Sequence, residues 1–223
     1  DMTSGSENTL IGSGAGANLT TGTKNVAVGD GALVLTTTAA DNCAVGYDAL
    51  AGNTTSASCN AFGKNALTTI NGGHHNNAFG HGALQSLQGS ATTCNAFGGY
   101  ALSSCTTGSE SHAFGHEAGT ATTTGQVTAV GYHALYANTT AINNVAVGAN
   151  ALAACTTGAK NVAVGNNVLD ACITGIGNTG MGHLSLTALT DGTYNTCIGE
   201  GSGTNTTSAF FSTAIGYNAL GGT

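Results

Sequence analysis

Neither proline nor tryptophan occurs in the chain, and only 6% of its 223 residues are charged. Ordinary soluble domains carry about 25% charged residues. So little charge raises disorder or a membrane as explanations, and neither fits. Apolar residues make up 41% of the chain, too many for a disordered polar tract. No apolar run approaches the ~20 residues that a membrane helix needs, so no membrane insertion is expected. Three Lys plus Arg against ten acidic residues give a net charge of −7 and leave no basic patch. That excludes nucleic acid as an expected partner. No signal peptide is visible at Asp1, and the chain starts and stops in mid-pattern. A processed product, or part of something longer, is the expectation. Seven cysteines, an odd number, leave at least one unpaired within the chain, and no CxxC spacing marks a zinc site.

What the chain does have is a repeat. Its anchor is the glycine of Ala-Val-Gly: Gly12, Gly29, Gly46, Gly63, Gly80, Gly98, Gly115, Gly131, Gly148, Gly165, Gly182, Gly199 and Gly216. The spacing is 17 residues, apart from one of 18 (Gly80 to Gly98) and one of 16 (Gly115 to Gly131). Counting from the anchor, −1 is always large and apolar, −2 is Ala in ten of thirteen copies, and +4 is Leu in ten and Gly in three. Positions +1 and +2 vary freely among Ser, Asp, Tyr, Lys, His, Glu and Asn. Such a repeat is too short for a helix–turn–helix unit of about 34 residues. Short β-branched runs punctuated by Gly and Asn read as strand and turn.

The expected fold is therefore all-β: a parallel β-solenoid of thirteen coils forming a single repeat array over residues 1–223. One strand is predicted near −4 to −1 and a second near +3 to +7, with turns at the anchor and at Thr-Thr-Gly (+8 to +10). Coils stacked at about 4.8 Å would make a rod about 60 Å long. Stacking places Phe62, Phe79, Phe97 and Phe114 in one ladder at −1, and Leu33, Leu50, Leu67, Leu84 and Leu102 in another at +4. Taking the Phe ladder as buried, Phe79→Asp or Phe97→Asp is expected to abolish folding. The anchor glycine answers either a positive φ or a close approach between coils.

Adjacent strand residues face opposite ways, yet −2 and −1 are both apolar, and so are +3 and +4. One of each pair should face outward, and a strand apolar on both faces is normally covered on both. Lateral association is expected, most economically as a homotrimer; the alternative is a monomeric rod, since Ala on an outer face is small enough to be tolerated in water. Neither Asp1 to Glu7 nor the segment after Leu220 reads as a cap, so either flanking domains have been removed or the ends add one to another into a filament.

The segments Asn-Val-Ala-Val-Gly, Asn-Cys-Ala-Val-Gly and Ser-Thr-Ala-Ile-Gly-Tyr-Asn-Ala-Leu resemble the head repeats of trimeric autotransporter adhesins. They are more similar still to related repeats of the same length in phage and bacterial tail-fibre-like proteins, in which Asn-Thr-Thr-Gly follows. Asn53-Thr54-Thr55 and Asn138-Thr139-Thr140 match most of that second part. The resemblance covers essentially the whole chain. It implies a left-handed parallel β-roll, homotrimeric, extracellular or on a cell or virion surface.

Chemistry is sparse. His74, His75, His81, His112, His116, His133 and His183 are the candidate ligands or bases. His81, His116 and His183 share +1 but not on adjacent coils, which places them about 9.6 Å or more apart. Glu117 and His133 both sit at +2 of adjacent coils and could touch, with no third ligand evident. No metal site, cofactor or nucleophile–base–acid set is assigned, and no enzyme is expected. Cys155 and Cys172 share +7 in adjacent coils, where a Cα separation of about 4.8 Å admits a disulfide or two stacked thiols. Asn18, Asn53, Asn138 and Asn205 lie in Asn-x-Thr sequons at +6 or +7. They are expected along one exposed edge, as glycan sites or simply as turn residues.

The function expected is a structural, non-catalytic fibre, filament or adhesin-type segment whose main partner is itself. Surface glycans met through Tyr47, Tyr132 and Tyr217 are a further expected ligand. The alternative is ice binding by stacked Thr at +8 and +9, although adjacent strand residues do not share a face.

Overall fold

The residues just before each anchor glycine are mostly β-branched, aromatic or alanine, and they form the strands. In a computed structural model, residues 4–70 and 72–221 are described, so the first three residues of the polar start lie outside them. The fold is an all-β parallel solenoid, with no helix among the described residues. It divides into two compact units, Asp1–Ser111 and His112–Thr223. The first unit holds β1 (Thr9–Ile11), β2 (Val26–Val28), β3 (Cys43–Val45), β4 (Asn60–Phe62), β5 (Asn77–Phe79) and β6 (Asn95–Phe97). The second holds β7 (His112–Phe114), β8 (Val127–Val130), β9 (Asn144–Val147), β10 (Val162–Val164), β11 (Thr179–Met181), β12 (Thr196–Ile198) and β13 (Thr213–Ile215). Within each unit, successive strands pair in parallel and in register with the repeat, as in Ala27↔Ala44 and Ala146↔Ala163.

The anchor glycine meets both demands at once. Gly46 has φ 139°, and a Cβ there would lie 2.6 Å from the carbonyl oxygen of Gly63 in the next coil. Backbone stacks on backbone at this corner, and no side chain fits between.

Beyond the anchor, the expected second strand is absent among the described residues. Positions +3 to +7 form a staircase of turns instead. The N–H of Ala151 returns to the Gly148 carbonyl (3.3 Å), Ala153 to Asn150 (3.3 Å) and Cys155 to Leu152 (3.1 Å). Asn150 (φ 56°) and Leu152 (φ 52°) have left-handed backbone, the type II pattern of positive φ at the third turn residue. The alternate N–H groups reach the next coil, Leu152 to Val168 O and Ala154 to Asp170 O, both at 3.0 Å. Asn, Asp and Gly tolerate this conformation at +2, but Leu at +4 does not do so freely. The left-handed form costs an L-residue roughly 1–2 kcal/mol, and full burial of a leucine returns about 1.5–3 kcal/mol. The outcome is that Ala at +3 and Leu at +4 both point inward. Leu33, Leu50, Leu67, Leu84 and Leu102 are all fully buried. One residue of that pair was expected to face out; the positive φ at +4 breaks the strand alternation on which that expectation rested.

The interior conserves volume from coil to coil. Where +4 is Gly16, Leu10 at −2 occupies the space, 2.8 Å from where a Cβ would sit. Gly180 at −2 faces Val168, which replaces the usual Ala at +3, and Gly203 faces Cys197. Each exchange keeps the core filled at close packing.

A second interior column is polar. Position −4 carries buried Asn25, Asn42, Asn76, Asn144, Asn161, Asn178 and Asn195. The Asn161 Oδ1 accepts the Asn178 main-chain N–H at 2.9 Å, and its Nδ2 donates to Gly175 O at 2.7 Å. Asn178 repeats this with Asn195 and Gly192 (3.0 and 2.8 Å). Each amide thus satisfies one main-chain group of its own coil and one of the next that would otherwise be buried and unpaired. Cys94 takes the same place in the first unit and donates its thiol to Gly108 O at 2.9 Å.

Candidate functional surface

Strand alternation leaves −3 and −1 on the outer face of the sheet, opposite the buried Ala at −2. Phe62 and Phe79 stack with ring centroids 4.7 Å apart and planes 7° from parallel; Phe79 and Phe97 stack at 4.7 Å and 5°. This aromatic ladder is half-buried and lies outside the coil, which corrects its expected place in the core. Phe114 belongs to the second unit, where it pairs in register with Val130. There the column continues as Val130, Val147, Val164, Met181, Ile198 and Ile215, with Met181, Ile198 and Ile215 well exposed. Beside the Phe ladder at −3, Asn60, Asn77 and Asn95 form an outward amide ladder, with Asn60 Nδ2 donating to Asn77 Oδ1 and Asn77 Nδ2 to Asn95 Oδ1, both at 2.7 Å.

The sequons do not line one edge. At +6 the side chain faces out: Asn18 and Asn205 are exposed. At +7 it faces in: Asn53 and Asn138 are fully buried. Asn53 accepts the Ser56 N–H (2.8 Å) and donates to Ser56 O (3.0 Å), so it caps the corner turn. A glycan cannot be carried there in the folded chain; Asn18 and Asn205 remain as sites a glycosylating host can reach.

Position +7 also places Cys155 and Cys172, both buried, and all seven cysteines are free thiols in this structure. The neighbouring Cys172 thiol, followed by burial, pushes the Cys155 thiol above the ordinary cysteine value. Cys155 in turn draws the Cys172 thiol down. Cys105 and Cys94 form an equivalent pair in the first unit, with Cys105 pushed up and Cys94 drawn down. That second pair joins +7 to −4 of one coil, a proximity that matching like positions does not find.

At the Thr corner, the +8 hydroxyls of Thr20, Thr139 and Thr190 donate to the +8 carbonyl of the next coil at 3.0 Å. They are held by backbone, whereas Thr21, Thr38, Thr55, Thr140 and Thr157 at +9 are exposed. Tyr47, Tyr132 and Tyr217 are exposed as well, and Lys64 Nζ sits 5.7 Å from the Tyr47 ring centre. A further aromatic group at −5 escaped the sequence reading: Tyr194 stacks on Phe211 at 5.4 Å, and both are exposed.

Glu117 and His133 do touch: His133 Nε2 lies 2.6 Å from Glu117 Oε2. The third group is His116, a candidate at +1 that was not expected beside this pair, whose Nδ1 is 4.0 Å from Glu117 Oε1. His81 and His183 do not join it. His81 packs against Tyr100 (4.8 Å), and His183 Nδ1 lies 3.8 Å from Glu200 Oε1. No helix is long and apolar enough to cross a membrane among the described residues. Comparison with family models, curated proteins and solved structures returns no match for this chain.

Proposed function

We propose that this chain is a structural, non-catalytic segment of an extracellular fibre, filament or adhesin-type surface protein, assembled by lateral association of its solenoid coils into a homotrimer. The observation that carries the reading is the outer −1 column. A large apolar residue occupies −1 in every coil, and the side chain lies on the outer face of the sheet instead of in the core. Water is a poor environment for stacked Phe62, Phe79 and Phe97 or for exposed Ile198 and Ile215. Like positions on a second and third copy would cover them. The repeat's resemblance to tail-fibre and trimeric adhesin sequences supports the same assembly and a cell- or virion-surface location.

The interior supports a mechanical role. Buried Leu and Asn columns tie each coil to the next through both apolar packing and amide hydrogen bonds. Variable +1 and +2 residues then decorate the exterior, and the exposed tyrosines offer stacking surfaces to glycans. Ice binding draws less support, because the +8 hydroxyls are already bonded to backbone at a corner.

Electron microscopy of the untreated protein tests the reading. Trimeric particles or uniform filaments are expected. Dispersed single chains at micromolar concentration would overturn it.

A further inference from the structure

His116, Glu117 and His133 bring three ligating side chains to one point of the second unit. Their candidate donor atoms all lie within 4.8 Å of one another. A tetrahedral ion with metal–nitrogen bonds of about 2.0–2.1 Å holds its ligand atoms about 3.3 Å apart. The present separations of 2.6 Å (His133 Nε2 to Glu117 Oε2) and 4.0 Å (His116 Nδ1 to Glu117 Oε1) bracket that value. Binding requires the Glu117 carboxylate to draw back from His133 and the His116 ring to approach it.

The backbone holds these groups in place. Glu117 and His133 occupy the same turn position on adjacent coils, with φ 56° and 54°. The His133 N–H donates to His116 O at 3.2 Å, which ties the two turns together. Tyr132 stacks on the His133 ring (3.8 Å, 20°), and Tyr136 packs against it at 4.6 Å. These contacts fix the imidazole plane. His116 is 55% exposed, so solvent has access to the remaining coordination positions.

We propose that His116, Glu117 and His133 bind one divalent first-row transition ion of the Zn(II) class, with water completing the coordination. Two imidazoles and one carboxylate suit Zn(II) and its neighbours. Ca(II) and Mg(II) favour oxygen-only sets of six or more ligands. On binding, any proton on His133 Nε2 leaves to solvent or moves to Nδ1, freeing the nitrogen lone pair for the metal. The site is independent of how the chains associate, since all three ligands come from one chain.

The test is a titration of the full chain with Co(II) as a spectroscopic probe, followed by displacement with Zn(II). A saturable visible absorption band at one equivalent is expected, lost on adding Zn(II). His116→Ser, Glu117→Asn and His133→Asn each place at the position a residue that other coils already carry there (Ser13; Asn65, Asn150, Asn167), so the turn is retained. Unchanged circular dichroism checks this. Each variant is expected to weaken binding at least about tenfold. No saturable band, binding by the three variants as tight as that of the unmodified chain, or near-ultraviolet thiolate charge-transfer bands placing the ion on cysteines would overturn the proposal.

Discussion

In β13, Ala214 at −2 is 4% exposed and Ile215 at −1 is 69% exposed, though the two residues are neighbours and both apolar. The same division runs through the other coils: −2, +3 and +4 fill the inside, whereas −1 and −3 make the outside. The inside is complete within one chain, with volumes exchanged between Leu10 and Gly16 or Val168 and Gly180. On the outside, the large apolar −1 column stays half-buried or exposed within each unit. A single sequence period therefore encodes two separate requirements, one for folding a coil and one for what lies against it.

Changes on the inside should be the most damaging. Leu152→Asp places a charge in a fully buried position. A loss of more than about 4 kcal/mol is expected, enough to unfold the second unit; loss of its protease resistance is the readout. Next is Gly46→Ala, which sets a Cβ 2.6 Å from Gly63 O at a φ of 139°. About 2–4 kcal/mol should be lost, read from the denaturant midpoint. Asn161→Leu would leave the Asn178 N–H and Gly175 O buried without their partner. A cost of about 2–4 kcal/mol is expected from two unpaired groups, and Asn161→Cys should recover part of it, because Cys94 serves a matching carbonyl with its thiol.

The smallest effect on folding should come from the outside. Phe79→Asp removes a half-buried ring from the Phe62–Phe79–Phe97 ladder without entering the core. We expect a change within about 1 kcal/mol in the isolated chain and unchanged circular dichroism, together with loss of self-association. Unfolding by Phe79→Asp would erase the distinction between the two faces.

The period, the strand before each anchor glycine and the Leu column were legible from the sequence, because each repeats at a fixed offset. The turn staircase was not. Ala at +3 followed by Leu at +4 reads as a strand with two apolar faces, and only the left-handed φ at Leu152 and its equivalents turns both residues inward. The Asn column at −4 was passed over for the opposite reason: Asn reads as a turn residue, yet here it is a buried amide that completes main-chain hydrogen bonds. The sequons failed on parity, since Asn18 at +6 points out and Asn53 at +7 points in. At the ligand cluster, Glu117 and His133 share a repeat position, whereas His116 stands at +1 and joins them only through the shape of the turn.

The central claim is that the outer −1 column is an interface between copies of this chain. Sedimentation equilibrium of the unmodified chain beside Phe79→Asp and Val147→Asp variants tests it most directly. Three chain masses for the unmodified protein and one for folded variants is the predicted result. A single chain mass for the unmodified protein across the whole concentration range would contradict it.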